Sequence, residues 1–254
     1  MEHAKLVFAP TRRKLAIAAA LALLLLPGFG QAADSFSQGQ RGEIVRILRE
    51  ALVKDPSILR DAIEALQTAE KNQEAGAASA ALNANRAALI DPADPVAGNP
   101  AGDITIVEFF DIRCPYCKRL DTAMAELLKR DPQIRLIYKD LPVLGPPSRL
   151  GAKALLAAQR QGRYEALRDA LMHSNAQTTQ DGIRAEAELL GLDWARMSQD
   201  MDAPEIEARI QNNLRLASAL GIQGTPAMVI GDTLIPGAVD LAELQRAVAG
   251  ARRK

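Results

Sequence analysis

Ile104-Thr105-Ile106-Val107-Glu108-Phe109-Phe110-Asp111-Ile112-Arg113-Cys114-Pro115-Tyr116-Cys117 places a run of β-branched and aromatic residues just before two cysteines three positions apart. Residues 104–110 are short, apolar and bounded, the pattern of a buried strand. From Pro115 to Lys129 the pattern turns helical, with Leu120, Ala123, Leu127 and Leu128 on the inner side and Lys129 and Arg130 at the end that favours cations. The cysteines therefore fall at a strand-to-helix junction. One helical turn brings positions i and i+3 to the same side, within the separation a disulfide needs. Cys114 falls at the helix N-terminus, where free N–H groups and the positive dipole end favour the thiolate, the reactive species. Pro115 suits the first helical position. Cys117, inside the turn, is expected to be the less exposed, resolving thiol.

Three uses compete for such a pair. As a structural staple it is poorly placed, because closing a loop of about four residues removes only ~2 kcal/mol of unfolded-state entropy, against ~3 kcal/mol for fifteen. A structural zinc ion wants four ligands, and the chain has no further cysteine. Cu(I) needs fewer soft ligands, so a copper-handling protein stays open as a binding-class alternative. Thiol–disulfide exchange is the leading reading, with no cofactor beyond the Cys114–Cys117 disulfide and no resident metal.

Downstream, Ile134-Arg135-Leu136-Ile137-Tyr138 reads as a second strand. A strand–helix–strand unit implies a parallel pair with a right-handed crossover. Helices follow from about Ser148 to Leu220, punctuated by Gly162, Gly182, Gly191 and Pro204. Ala227–Ile230 and Thr233–Ile235 flank Gly231-Asp232, a hairpin signal that adds an antiparallel edge. Leu241 to Ala249 closes as a helix, completing an α/β pattern over 104–254. His173 is read as a cation at a helix C-terminus, and Trp194 as core.

Upstream, Pro92, Pro95, Gly98, Pro100 and Gly102 mark residues 90–103 as a linker. Gln40 to about Ala88 reads as helix, with Ile44, Ile47, Leu48, Ala51 and Leu52 on one face and Leu59, Ala62, Ile63 and Leu66 on a second stripe beyond Asp55-Pro56. Eight of the fourteen residues from Ala75 to Ala88 are alanine, which favours helix but has little side chain to bury. That segment is thus expected to be a stalk, a mobile linker or a surface that packs on copies of itself, within an N-terminal helical oligomerisation or stalk domain over residues 33–89. At the start, Lys5, Arg12, Arg13 and Lys14 precede twelve apolar residues from Leu15 to Leu26, then small residues up to Ala32. Twelve residues span roughly 18 Å as helix, short of the ~30 Å hydrocarbon core, so residues 1–32 read as a cleaved signal peptide. The charge balance of 31 basic and 31 acidic residues shows no clustered basic excess, which argues against nucleic acid as a partner. Loss of residues 1–32 leaves 27 basic and 30 acidic groups, with His173 as the remaining histidine.

The segment from Val107 to Cys117 resembles the active-site strand and helix of the DsbA-type thiol–disulfide oxidoreductases of the bacterial periplasm. Gly224-Thr225-Pro226-Ala227 is similar to their second signature, and the helices of about 148–220 match the insertion they carry within a thioredoxin fold. The N-terminal helices with Asp94-Pro95-Val96 and Gly98-Asn99-Pro100 resemble the ScsC (suppressor of copper sensitivity) branch, in which such a domain trimerises. The resemblance implies a periplasmic protein with Cys114 as nucleophile, Cys117 as resolving cysteine, and Pro226 as a cis-proline that lets Thr225 offer backbone hydrogen bonds to a peptide. Glu108 then matches the family's buried acid, a proton-transfer group for Cys117; the competing reading pairs it with Lys139 at a strand end. Tyr116 and Thr225 would tune potential and substrate contact. Tyr116 stands where the strongest oxidase of the family has histidine, so a less oxidising disulfide is expected here. Tyr116, Thr225 and the N-terminal helices together lean the reading to an isomerase or reductase over an oxidase. The implied partners are exported proteins with cysteines, a membrane redox partner that resets the pair, and further copies of the chain in a homotrimer.

Overall fold

Ser37 opens the described chain's first helix with a reciprocal cap: its hydroxyl accepts from the Gln40 N–H, and the Gln40 side chain accepts from the Ser37 N–H. The computed structural model describes residues 36–173 and 178–253. The signal-peptide reading of residues 1–32 lies outside them. Two compact units part between Gln67 and Thr68.

The first unit holds α1 (Gln38–Lys54) and the start of α2 (Ser57–Ala84). Asp55 separates them: its carboxylate accepts from the Ser57 N–H at 3.0 Å, satisfying a donor at the new helix start. α1 buries no residue of its own. Ile44, Ile47, Leu48 and Leu52 on α1, and Ile58, Leu59, Ile63 and Leu66 on α2, are all exposed. An amphipathic helix with its apolar face in water lacks the burial that normally stabilises it.

The second unit continues through α3 (Arg86–Leu89) into β1 (Val96–Gly98), β2 (Ile104–Phe110), α4 (Pro115–Arg130) and β3 (Ile134–Asp140). α5 (Pro146–Gln159), α6 (Tyr164–His173), α7 (Gln180–Leu189), α8 (Trp194–Met201) and α9 (Pro204–Ala219) form the insertion. β4 (Ala227–Ile230), β5 (Thr233–Pro236) and α10 (Leu241–Arg252) complete it. The sheet order is β1-β3-β2-β4-β5, with β2 and β3 parallel and the other neighbours antiparallel. This is the α/β order that the sequence pattern anticipates, and the thioredoxin-like fold with a helical insertion that the family resemblance implies.

The strand period of two sorts the core into two faces. Ile106, Phe110, Leu136, Tyr138, Met228 and Ile230 face the cluster with Leu120, Met124 and Leu127 of α4, the inserted helices and α10. Val107, Phe109, Ile137 and Val229 face the other cluster, with Leu82, Leu89 and the end of α9. On α4, Met124 fills the innermost position beside Leu120 and Leu127, while Ala123 and Leu128 are only partly buried. Trp194 likewise packs against the core without being fully buried.

The stretch 90–103 is more structured than its Pro and Gly content suggests, because β1 pairs with β3 within it. Gly98 ends that strand at φ +68°, where an added Cβ would meet the Ile134 carbonyl oxygen at 2.6 Å. Glycine is what permits the sharp exit there. No helix among the described residues is long and apolar enough to cross a membrane.

Candidate active site

Asp111 leaves the end of β2 and organises the junction. One carboxylate oxygen accepts from the Arg113 N–H at 2.9 Å; the other accepts from the N–H groups of Val143 and Leu144 at 2.9 and 3.0 Å. It thereby ties the loop after β3 to the turn that delivers the cysteines. Cys114 then takes the N-cap position of α4 with extended backbone, and Pro115 fills the first turn, where its missing N–H is not needed. Cys114 makes no side-chain cap to its own helix. Its Sγ points across to donate to the Thr225 carbonyl oxygen at 3.3 Å.

Thr225-Pro226 is a cis peptide bond, and Pro226 is buried against the pair. The Pro226 carbonyl accepts from the Gly237 N–H at 2.9 Å, which anchors the turn to the end of β5. The structure thus brings Cys114, Pro115, Cys117, Thr225 and Pro226 to one place from segments more than a hundred residues apart. Tyr116 lies on the same turn but faces outward, 57% exposed, with the Arg119 guanidinium 4.9 Å over its ring.

Both thiols are free, and both cysteines are buried. Cys117 is fully enclosed, and burial first of all pushes its thiol well above the usual range. A backbone hydrogen bond at Asp111 opposes that shift, while Cys114 and Glu108 add to it. The charged form of Cys117 is therefore disfavoured where it sits.

Glu108 is one of the groups whose charge bears on Cys117. It lies on β2 facing the insertion, with no exposure and no hydrogen bond to either carboxylate oxygen among the described residues. Burial raises its pKa to about 7; Arg168 opposes the shift, and Asp121 reinforces it. Pairing with Lys139 does not occur, for a geometric reason. Phe109, not Glu108, is the register partner of Lys139, so the two charged side chains leave opposite faces of the sheet. Lys139 instead pairs with Asp94 and donates to the Ala88 carbonyl at 2.6 Å.

Three residues that sequence reasoning passed over complete the surroundings: Asp111, Asp121 and Arg168. Arg168 falls in the row Tyr164, Leu167, Arg168, Leu171 along the buried side of α6. A lone charge inside an apolar stripe was the available signal. Asp121 holds the corresponding place on α4, one turn beyond Cys117. It contacts Arg168 Nη2 at 2.6 Å and His173 Nε2 at 3.2 Å, so the last residue of α6 faces an acid as well as the helix end. No group of three or more His, Cys, Asp or Glu side chains among the described residues is arranged to hold a metal ion.

Comparison with known proteins places this geometry in a family. The DSBA-like thioredoxin domain matches residues 105–249. A thioredoxin-like oxidoreductase from Silicibacter pomeroyi is 45% identical, with a TM-score of 0.65 over 67% of this chain and 99% of that one. ScsC from Proteus mirabilis, in a transitional conformation, is 33% identical, with a TM-score of 0.62 over 85% of this chain and 97% of that one. Among curated sequences, a Na(+)/H(+) antiporter NhaA of Salinispora tropica is 28% identical over 64% of this chain. This chain spans only about a quarter (26%) of that antiporter's length. A domain match over most of the sheet and insertion, with ScsC-type structures matched over nearly their full length, shows that the chain belongs to the DSBA-like thioredoxin family of disulfide oxidoreductases and is ScsC-like within it.

Proposed function

We propose that the protein catalyses thiol–disulfide interchange on exported proteins in the periplasm, working as an isomerase or reductase. The observation that carries this is the placement of Cys114: at the N-cap of its helix, bonded to the Thr225 carbonyl of the cis-proline turn, with a buried second thiol three residues on. In this reading the Cys114 thiolate attacks one sulfur of a substrate disulfide. A mixed disulfide forms, and the other substrate sulfur leaves as a thiolate. Either that thiolate attacks elsewhere in the substrate and reshuffles its pairing, or Cys117 attacks Cys114 and releases reduced substrate. The second route leaves the Cys114–Cys117 disulfide, which a membrane redox partner must reduce again. Glu108 takes the Cys117 proton as that thiol becomes a nucleophile.

Two features favour isomerase over oxidase. Tyr116, between the cysteines, brings no positive charge to stabilise a thiolate, so the disulfide is less strongly oxidising. The exposed apolar residues of α1 and early α2 suit self-association into a trimer, which would hold one misfolded client before several reactive pairs. Residues 33–89 then serve as the oligomerising stalk, and 104–254 as the exchange domain.

The direction is tested with two substrates, scrambled and fully reduced ribonuclease. The protein is expected to reactivate the scrambled enzyme faster than it oxidises the reduced one. It is expected to scatter light as an oligomer, and a chain beginning at Thr68, which keeps Leu82, Leu89 and Ala88 of the second unit, as a monomer with several-fold less isomerase activity. Rapid oxidation of reduced ribonuclease by a monomeric full chain would instead establish the oxidase. Inactivity on both substrates, combined with tight Cu(I) binding, would leave the copper-handling reading.

A further inference from the structure

Arg168 is buried to 1% on α6, on the side of the helix that carries Tyr164, Leu167 and Leu171. Its guanidinium is sandwiched 5.0 Å from the Phe110 ring centre on β2 and 4.2 Å from that of Tyr138 on β3. Asp121 on α4 holds one end at 2.6 Å, and Asp169 accepts from the other at 3.3 Å. Glu108 lies 3.9 Å from Nη2, too far for a hydrogen bond but close for two unit charges in a dry interior. Two aromatic faces and two acids thus fix a permanent cation opposite a carboxyl that remains free to gain and lose a proton.

We propose that Arg168 is a positioning residue of the exchange site: the inserted helix supplies, through it, the positive charge that lets Glu108 ionise and accept the proton of Cys117. This rests on the exchange chemistry proposed above. The groups facing Glu108 are Arg168 from α6, Asp121 and Cys117 from α4, and Tyr138 from β3. Those facing Arg168 further include Asp140 and Tyr164, which are hydrogen-bonded to each other at 2.9 Å, and Glu165 and Asp169 of its own helix. His173 also lies on Asp121 and Arg209 acts on Asp140, but Arg168 is the cation that acts on Glu108, so its removal strips Glu108 of its opposing charge. Glu108 then holds its proton to higher pH, because a buried carboxyl without an opposing charge stays neutral. The insertion, on this account, tunes proton transfer in addition to shaping a surface.

The step affected is the second one, the attack of Cys117 on Cys114. The probe is a model peptide joined through a disulfide to an absorbing aromatic thiol. Stopped flow then resolves release of the aromatic thiol by Cys114 from release of the peptide by Cys117. In the wild type, the rate of the second step is expected to rise with pH through about 7, the value for Glu108. Arg168→Met is expected to leave the first step within about twofold. The second step should slow at pH 7 by at least about fivefold, with its pH limb moved upward by a unit or more. Arg168→Lys, which keeps the charge, is expected to restore most of the rate. Glu108→Gln is expected to abolish the limb, and adding Arg168→Met to it should change the second step no further. Equal slowing of both steps, or an unmoved limb in a folded Arg168→Met protein, would overturn the proposal. So would an additional effect of Arg168→Met in the Glu108→Gln background. If the wild type releases no aromatic thiol at all, the exchange reading itself has failed, and the two failures are told apart.

Discussion

Cys114→Ser is expected to lower disulfide exchange by at least about a thousandfold, to the background of the uncatalysed reaction. A serine hydroxyl ionises far less readily than a thiol and cannot form a disulfide with the substrate sulfur. The Sγ that approaches Thr225 is also the sulfur at the start of the helix. Cys117→Ser is expected to behave differently. Its first attack persists, but the fully buried resolving sulfur is missing, so mixed disulfides with substrate accumulate and reductive turnover stops. Initial rates of insulin reduction, with non-reducing gels to display trapped complexes, measure both. Retention of more than about a tenth of the activity in Cys114→Ser would contradict the assignment of the nucleophile. Trapped complexes in Cys114→Ser but not in Cys117→Ser would reverse the two roles.

The second large effect lies on the other face of the sheet, away from the chemistry. Asp94→Ala is expected to destabilise the protein by about 3–5 kcal/mol, because it leaves the Lys139 cation buried. The Lys139 and Asp94 side chains are each only 2% exposed and pair directly. Burial raises the Asp94 pKa, and the bonds from Lys139 and Arg209 pull against that rise. Without Asp94, Lys139 keeps only the Ala88 carbonyl at 2.6 Å, and Arg209 loses its contact at 3.1 Å. A typical domain is stable by about 5–15 kcal/mol, so such a loss moves it close to unfolding at body temperature. The double change Asp94→Leu with Lys139→Met removes both charges and is expected to recover most of the stability, since replacing a whole buried pair by apolar groups is often neutral. Urea unfolding midpoints of the three proteins decide it. A loss below about 1 kcal/mol in Asp94→Ala would show that the pair is not what ties residues 85–94 to β3.

That ion pair also shows where sequence reading reaches its limit. The two cysteines, the strand before them and the helix after them lie within about thirty residues, and each has a local pattern: β-branched residues, a Pro at the helix start, a period of 3.6. The helices of 148–220 and the hairpin at Gly231-Asp232 were legible for the same reason, and the structure places α5 to α9 and β4–β5 there. The cis turn at Thr225-Pro226 had no local signal of its own and was suggested by family resemblance alone. β1 was hidden because three residues between prolines and glycines carry too little alternation to read as a strand. Lys139 with Asp94 and Arg168 with Glu108 are separated by 45 and 60 positions, and only the sheet register decides which charge meets which. Glu108 and Lys139 seemed natural partners by type. The pleat sends them to opposite sides.

The reduction potential of the Cys114–Cys117 pair tests the central claim most directly. The protein would be equilibrated with graded glutathione buffers, and its dithiol fraction read by alkylation and mass. The expected result is a single two-electron transition near about −180 mV, the range in which disulfide isomerases work. A transition near about −120 mV, the range of a strong oxidant, would contradict the isomerase reading. A pair that does not interconvert between dithiol and disulfide anywhere across the series would contradict exchange altogether.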